Sequence, residues 1–298
     1  MTNGPFTFDQ LVGLIGGRLR HDVACPLCGP VPGRTKTNRD RRVLRIWHPE
    51  PGFVTFHCER CGISGYAIDG GRAPVSRAVL EETRRKAEAF EREHAAKRLE
   101  LARWLWRSRR PIAGTIAERY LREARRIPAA FALPGTLGFL PARDNYPPAL
   151  IAAFGIPAEP EPGVLVIPNT AVAGVHLTRL LPDGSGKDER RGPAKIMIAR
   201  SKGWPLVLAP PNDSGGLGIV EGIEEGLTLS AATGLGLWVA GSASRLPALA
   251  ERVPDHTDCI TIFADTDTDG RRHARELERL LRARRLFTTL AKCPEQSR

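Results

Sequence analysis

Apolar and polar positions change rhythm near residue 215. Beyond it, the apolar runs Leu217–Val220, Leu237–Ala240, Ile260–Ala264 and Leu286–Ala291 are separated by Glu224–Thr233, by a stretch near Leu246–Arg252 and by Arg271–Arg284. The apolar runs have the length of strands and the runs between them the length of helices. Their alternation predicts a parallel sheet with helical crossovers. Upstream the pattern is less regular. Val43–Trp47 and Phe53–Phe56 predict short strands inside a segment rich in Cys, Gly, Pro and Arg. Pro74 and Ser76 then open a polar run to Arg110 that predicts one long helix, with Val79, Ala87, Phe90, Leu101 and Leu105 on one face and Pro111 as its stop. A short helix over Thr115–Arg122, strands over Val164–Pro168 and Val172–Leu180, and a turn at Pro182–Gly186 fill the middle. These shifts divide the chain into 17–72, 73–127, 128–214 and 215–298, with no internal repeat.

With 298 residues, 42% of them hydrophobic, the chain can bury about two cores. It has no apolar run of 18 residues, and its N-terminus lacks the basic and apolar regions of a signal peptide, so a cytoplasmic protein with no membrane partner is expected. The net charge of +11 is unevenly placed. Residues 17–65 hold nine Lys/Arg against four acids and residues 84–110 ten against four, whereas 216–270 hold two against nine. A basic body with one acidic pocket suits an enzyme that grips phosphate backbones and uses metal at one point, although basic surface can also be merely solubilising.

Four of the six cysteines form two knuckles, Cys25-Pro-Leu-Cys28-Gly29 and Cys58-Glu-Arg-Cys61-Gly62, with 29 residues between them. Two residues between thiolates let both face one ion, glycine lets the backbone turn, and four thiolates close a tetrahedral site. The pattern predicts one structural zinc. Cys259 and Cys293 are left as free thiols, and His48 and His57 are not needed as ligands. Arg34, Lys36, Arg39, Arg41, Arg42 and Arg45 beside Trp47, Phe53 and Phe56 offer phosphate contacts and base stacking for single-stranded DNA, unless the aromatics serve as the segment's own core.

The run Ile260–Ala264 ends in Asp265-Thr-Asp267-Thr-Asp269-Gly270. Carboxylates this close repel one another unless a cation neutralises them, and oxygen donors select a hard divalent ion. Asp265, Asp267, Asp269, Gly270 and Glu276 match the calcium loop of an EF-hand by letter. A β-type run enters the loop where a helix is required, however, and Arg271, Arg272 and Arg275 oppose calcium. Leu217–Val220 also ends in an acid, Glu221, with Glu224 and Glu225 on the helix that follows. Neighbouring parallel strands open their carboxyl ends on one edge, which brings Glu221 to Asp265 and Asp267. The simpler alternative is that these acids cap the following helices.

Glu221-Gly222-Ile-Glu-Glu225 followed by Asp265-Thr-Asp267-Thr-Asp269-Gly270 resembles the Toprim domain of primases, topoisomerases, nucleases and recombination proteins. With the cysteine ribbon upstream, the chain resembles zinc-binding DNA primases, particularly those of plasmids and phages. The resemblance implies an α/β Toprim sheet with helices on both faces, preceded by a mixed α+β basic subdomain and a small zinc-ribbon β domain. It implies catalytic Mg2+ or Mn2+ at Glu221, Asp265 and Asp267, with Glu225 as a further candidate ligand and Asp269, off the family's pattern, as either a third aspartate ligand or a bystander. Gly174-Val-His-Leu-Thr-Arg179 and Pro193-Ala-Lys195 resemble the basic subdomain facing that site, which makes Arg179 and Lys195 nucleotide or template contacts. The implied activity is primer synthesis from nucleoside triphosphates on single-stranded DNA, by a nucleotidyltransferase of the DNA-directed RNA polymerase type. A Toprim nuclease and a non-catalytic DNA-binding protein of a mobile element are the alternatives. Gly184-Ser-Gly186-Lys187-Asp188 is no P-loop, because Leu181 and Asp188 stand at two required positions, so unwinding would fall to a separate replicative helicase. Tyr66, Tyr120 and Tyr146 lack the DNA-gate body a topoisomerase needs.

Overall fold

A computed structural model of the chain describes residues 2–16, 18–32, 36–70, 77–199 and 201–292. Arg34, Pro74, Ser76 and Cys293 lie outside the described residues, as do the side chains of Val79 and Ala87. Two compact units result, Met1–Glu91 and Arg92–Arg298.

The first contains β1 (Thr2–Asn3), α1 (Phe8–Ile15), β2 (Arg20–Ala24), α2 (Lys36–Arg39), β3 (Arg42–Glu50), β4 (Phe53–Cys58) and β5 (Ser64–Ile68), and its antiparallel sheet runs β1-β5-β4-β3-β2. Thr7 and Gln10 close a capping box at the start of α1, which seats Leu11 and Ile15 on Leu44, Ile46, Val54 and Phe56. The aromatics are not a stacking platform. Phe53 and Phe56 are buried, and Trp47 meets Phe90 edge-on at 5.0 Å. A unit this small must spend its rings on its own core. Arg45 is likewise engaged by Asp22 and Glu91, which leaves Lys36, Arg39, Arg41 and Arg42 exposed.

The long helix predicted from Pro74 is α3 (Arg77–Arg107), which continues into the second unit. There its Ala102 and buried Trp106 pack on Ile151, Val172 and Val175. The helix expected over Thr115–Arg122 is one turn, α4 (Ile116–Arg119), passing into a π turn over Tyr120–Ala124. Then come β6 (Leu137–Leu140), β7 (Ala149–Phe154), the hairpin β8 (Ala158–Glu161) and β9 (Val164–Val166), β10 (Gly174–Arg179) and β11 (Lys195–Ile198). The antiparallel order is β11-β10-β7-β6.

The last sheet holds β12 (Leu206–Ala209), β13 (Gly216–Val220), β14 (Gly236–Val239), β15 (Cys259–Ala264) and β16 (Thr288–Lys292), in the order β12-β14-β13-β15-β16. All neighbours are parallel except β12 with β14. Side chains alternate across it. Leu217, Ile219, Ile260 and Ile262 face Leu246, Leu249 and α6 (Thr268–Ala283) through Leu277 and Leu281. Val220, Val239 and Phe263 face α5 (Ile223–Thr233) through Ile223 and Leu227, in a core shared with Leu150 and Phe154 of the antiparallel sheet. The helix expected near Leu246–Arg252 is a 3-10 segment, Ala243–Leu249, because Pro247 lacks the amide an α-helix would use. Among the described residues no helix is long and apolar enough to cross a membrane.

Candidate metal centre and its charged surroundings

The sheet order reverses at β13: the chain leaves it on one side to form β14 and returns on the other as β15. Ile219 is level with Ile262, so continuing the register sets Glu221 level with Ala264, one residue before Asp265, at the carboxyl edge where such sheets bind ligands. Gly241 N–H donates to the Glu221 carbonyl at 2.9 Å, carrying the ladder past the strand ends. Gly222 caps α5, and a Cβ there would collide with the Glu225 carboxylate, which accepts the Gly222 N–H. The glycine thus lets the Glu225 carboxylate fold back on the start of its own helix.

Asp267 caps α6, its Oδ1 accepting from Gly270 N at 2.6 Å. Gly270 closes this loop tightly, because a Cβ there would stand 2.8 Å from the Asp265 Cβ. Asp269 points away from that turn, exposed and paired with Arg272 at 3.0 Å.

Burial, and then the charge of Asp265, pushes Glu221 up to about 7. Asp265 and Glu225 are also raised, first by burial and then by neighbouring carboxylates. Glu221 and Asp265 are hydrogen-bonded to each other, which requires a shared proton. Acids so crowded fit a divalent cation, which would neutralise them, and their all-oxygen donor set suits Mg2+ or Mn2+.

Beside the acids lies a second set of charges, of which the sequence pattern shows Glu224, Lys195 and Arg179 but not Tyr120 or Lys187. Glu224, buried on α5, accepts from Tyr120 Oη at 2.7 Å and pairs with Lys187 Nζ at 2.7 Å. Burial alone would raise this carboxyl, but the Lys187 and Lys195 charges and the two hydrogen bonds outweigh it and hold it at about 2. Lys195, at the start of β11 and exposed, acts electrostatically on Glu221, Asp265 and Glu225. Arg179 instead turns to the carbonyls of Arg191 (3.3 Å) and Pro193 (2.5 Å) and clasps the loop that leads to Lys195. His176 is buried among these groups, and burial, then Lys195, lowers it to about 4, so it is neutral. The backbone N–H of Ala243 donates to Glu221, and two residues on the Arg245 guanidinium turns to the Ala240 carbonyl and the Ser201 hydroxyl. No local motif signals Tyr120, Lys187 or Arg245, which pairing between distant segments brings to these groups.

In the first unit, one sulfur from each of Cys25, Cys28, Cys58 and Cys61 lies within 4.8 Å of the others, and Cys28 Sγ stands 3.7 Å from Cys58 Sγ. A tetrahedral zinc with arms of ~2.3 Å separates its sulfurs by ~3.8 Å, so the cluster has the size and donor set of a structural zinc site. Burial and the neighbouring thiols push Cys28 up to about 12, a cost that a cation removes. His48 packs on Phe8 and His57 lies exposed near Glu59, both apart from the cluster. Cys259 opens β15 half-buried and free.

Residues 216–295 match the Toprim domain, and residues 96–205 match a family described as a domain of unknown function (DUF7146). The C-terminal sheet is therefore a Toprim domain. No curated protein matches the chain. Two solved structures are similar. One is an Aquifex aeolicus primase (zinc-binding and RNA polymerase domains), with 15% identity over 94% of this chain and 74% of that one and a TM-score of 0.43. The other is a DNA primase domain from Pseudomonas aeruginosa, with 11% identity over 53% and 50% and a TM-score of 0.33.

Proposed function

We propose that the chain is a DNA primase that joins nucleoside triphosphates into short primers on single-stranded DNA. The observation that supports this is that Glu221, Asp265 and Asp267 follow the carboxyl ends of neighbouring parallel strands in the Toprim-matched region, with the Lys195 charge acting on Glu221 and Asp265. In this reading a 3′ hydroxyl attacks the α-phosphorus of the incoming nucleotide, the bond to the β-phosphate breaks and pyrophosphate leaves. No protein nucleophile is required. Mg2+ or Mn2+ held by Glu221, Asp265 and Asp267, with Glu225 behind them, would stabilise the charge that gathers on the phosphate oxygens. Lys195 faces the same phosphates as a point charge, while Arg179 sets the loop that presents it. Gly270 and the Asp267 cap fix the aspartate loop, so orientation is built into the fold rather than acquired on binding. A zinc held by Cys25, Cys28, Cys58 and Cys61 keeps the first unit folded, and Lys36, Arg39, Arg41 and Arg42 give that unit an exposed cationic surface for template phosphates. Asp269, tied to Arg272, stays outside the ligand set.

Labelled oligonucleotide synthesis on single-stranded DNA with Mg2+ or Mn2+ tests this. The expected result is a template-dependent product that Asp265→Asn reduces about 100-fold or more. Loss of template in place of product would identify a Toprim nuclease, and metal-independent DNA binding with no product would identify a non-catalytic binding protein.

A further inference from the structure

Arg245 has no part in that reaction scheme, yet it stands at the same edge. It follows β14 in the 3-10 segment, two residues after Ala243, whose N–H donates to Glu221. Its Nε donates to the Ala240 carbonyl at 2.9 Å and its Nη2 to the buried Ser201 hydroxyl at 2.9 Å, and the guanidinium lies 4.7 Å from the centre of the Phe154 ring. Three contacts therefore fix the fork, and none of them is an anion. Among the described residues no carboxylate pairs with Arg245, and its Nη1 is left unengaged.

Burial is what lowers Arg245, to about 10, so it remains a cation at neutral pH without a counter-charge. Neutral hydrogen bonds to a carbonyl and a hydroxyl do not require a full charge, and desolvating one without an anion weakens a fold. The surroundings add to the positive side. His176, only 2% exposed and with Nδ1 unpartnered, feels the charges of Lys195, Lys187 and Arg245, against one acid, Glu224. That acid is already taken by Lys187 and Tyr120. Lys195, which acts on His176 and on Glu221 and Asp265 alike, links this cationic side to the acids. An ion-bound polyphosphate needs both.

We propose that Arg245 is a phosphate-binding residue that takes the terminal phosphates of a nucleoside triphosphate, with the buried, unpartnered Nδ1 of His176 as a hydrogen-bond partner. The identity of the nucleotide rests on the primase reading; the anion subsite does not. The probe is inorganic triphosphate, titrated calorimetrically into the full zinc-loaded chain without other divalent metal. Arg245→Gln removes the charge and keeps donors for Ser201 and Ala240, so it separates charge from scaffolding, and Arg85→Gln on the exposed helix surface is the control. The expected result is triphosphate binding weakened at least tenfold by Arg245→Gln and unchanged by Arg85→Gln. The KM for nucleoside triphosphate should rise by a similar factor while kcat falls less. A wild-type chain that does not bind triphosphate, or an Arg245→Gln chain that melts normally and binds it as tightly as wild type, overturns the proposal. If the wild type makes no primer but Arg245→Gln still loses triphosphate, the subsite stands and the primase reading falls. If primers form with an unchanged KM, the reverse holds.

Discussion

Glu221 carries opposite demands in the two states of its site. In the folded chain without metal its carboxyl is raised from 4.5 to about 7, so folding favours the protonated form. The stability this proton confers is complete below the unfolded value and is lost as pH rises through about 7. A divalent ion favours the ionised form and reverses that loss. Glu221→Gln should therefore raise the melting temperature of the metal-free chain at pH 7.5, with an effect bounded at roughly 3 kcal/mol, and abolish the rise that Mn2+ produces in wild type. An equal response to Mn2+ in both chains would remove Glu221 from the metal site. Gly270 tests the loop instead of the ligand. With a Cβ 2.8 Å from that of Asp265, Gly270→Ala must displace the aspartate, so primer synthesis should fall about tenfold or more while the overall fold persists. The acids could be read from the sequence because each follows an apolar strand directly. The pairing of Tyr120 and Lys187 with Glu224 could not, because 104 and 37 positions separate the first two from the third and nothing local marks it.

Elements whose partners are near in sequence were legible, and the others were not. β13, α5, β14, β15 and α6 follow one another as strand and helix, and their periodicity sufficed. The antiparallel sheet was seen only at β10, because β6, β7 and β11 are short, lie among Pro and Gly, and pair across long loops. β2 and α1 were missed for lack of a strong period, and the 3-10 segment was misjudged because Pro247 sits within an otherwise helical pattern. The cysteine knuckles belong to this scale as well. Cys25, Cys28 and Cys58 are core residues of the first unit, packed with Leu44, Val54 and Phe56, so the metal and the small core stabilise each other. Chelation of zinc, or Cys58→Ser, should abolish protease resistance and the melting transition of Met1–Glu91 while leaving that of Arg92–Arg298 in place. A single unchanged transition after verified zinc removal would show that the cluster is not what holds the unit.

Across the whole molecule the charges are sorted. The chain carries +11, yet residues 216–270 hold nine acids against two Lys/Arg, whereas residues 17–65 and 84–110 are strongly basic. This division assigns capture of a nucleic-acid backbone to one part of the chain and metal chemistry to another, and the two should respond to different variables. Backbone capture releases counterions, so its affinity falls steeply with salt, by about 0.7 in the logarithmic slope for each phosphate contacted on a single strand. Replacing Lys36, Arg39, Arg41 and Arg42 together by Gln removes four exposed cations from the first unit without touching the Arg45 pairs with Asp22 and Glu91. Single-stranded DNA affinity, measured by fluorescence anisotropy from 50 to 300 mM NaCl, should then lose roughly 3 from its slope. Asp265→Asn should leave that slope as it was, because the acid edge takes no part in backbone capture. If the fourfold variant keeps the wild-type slope, the first unit is not the template-binding surface, and the exposed arginines of α3 become the place to look.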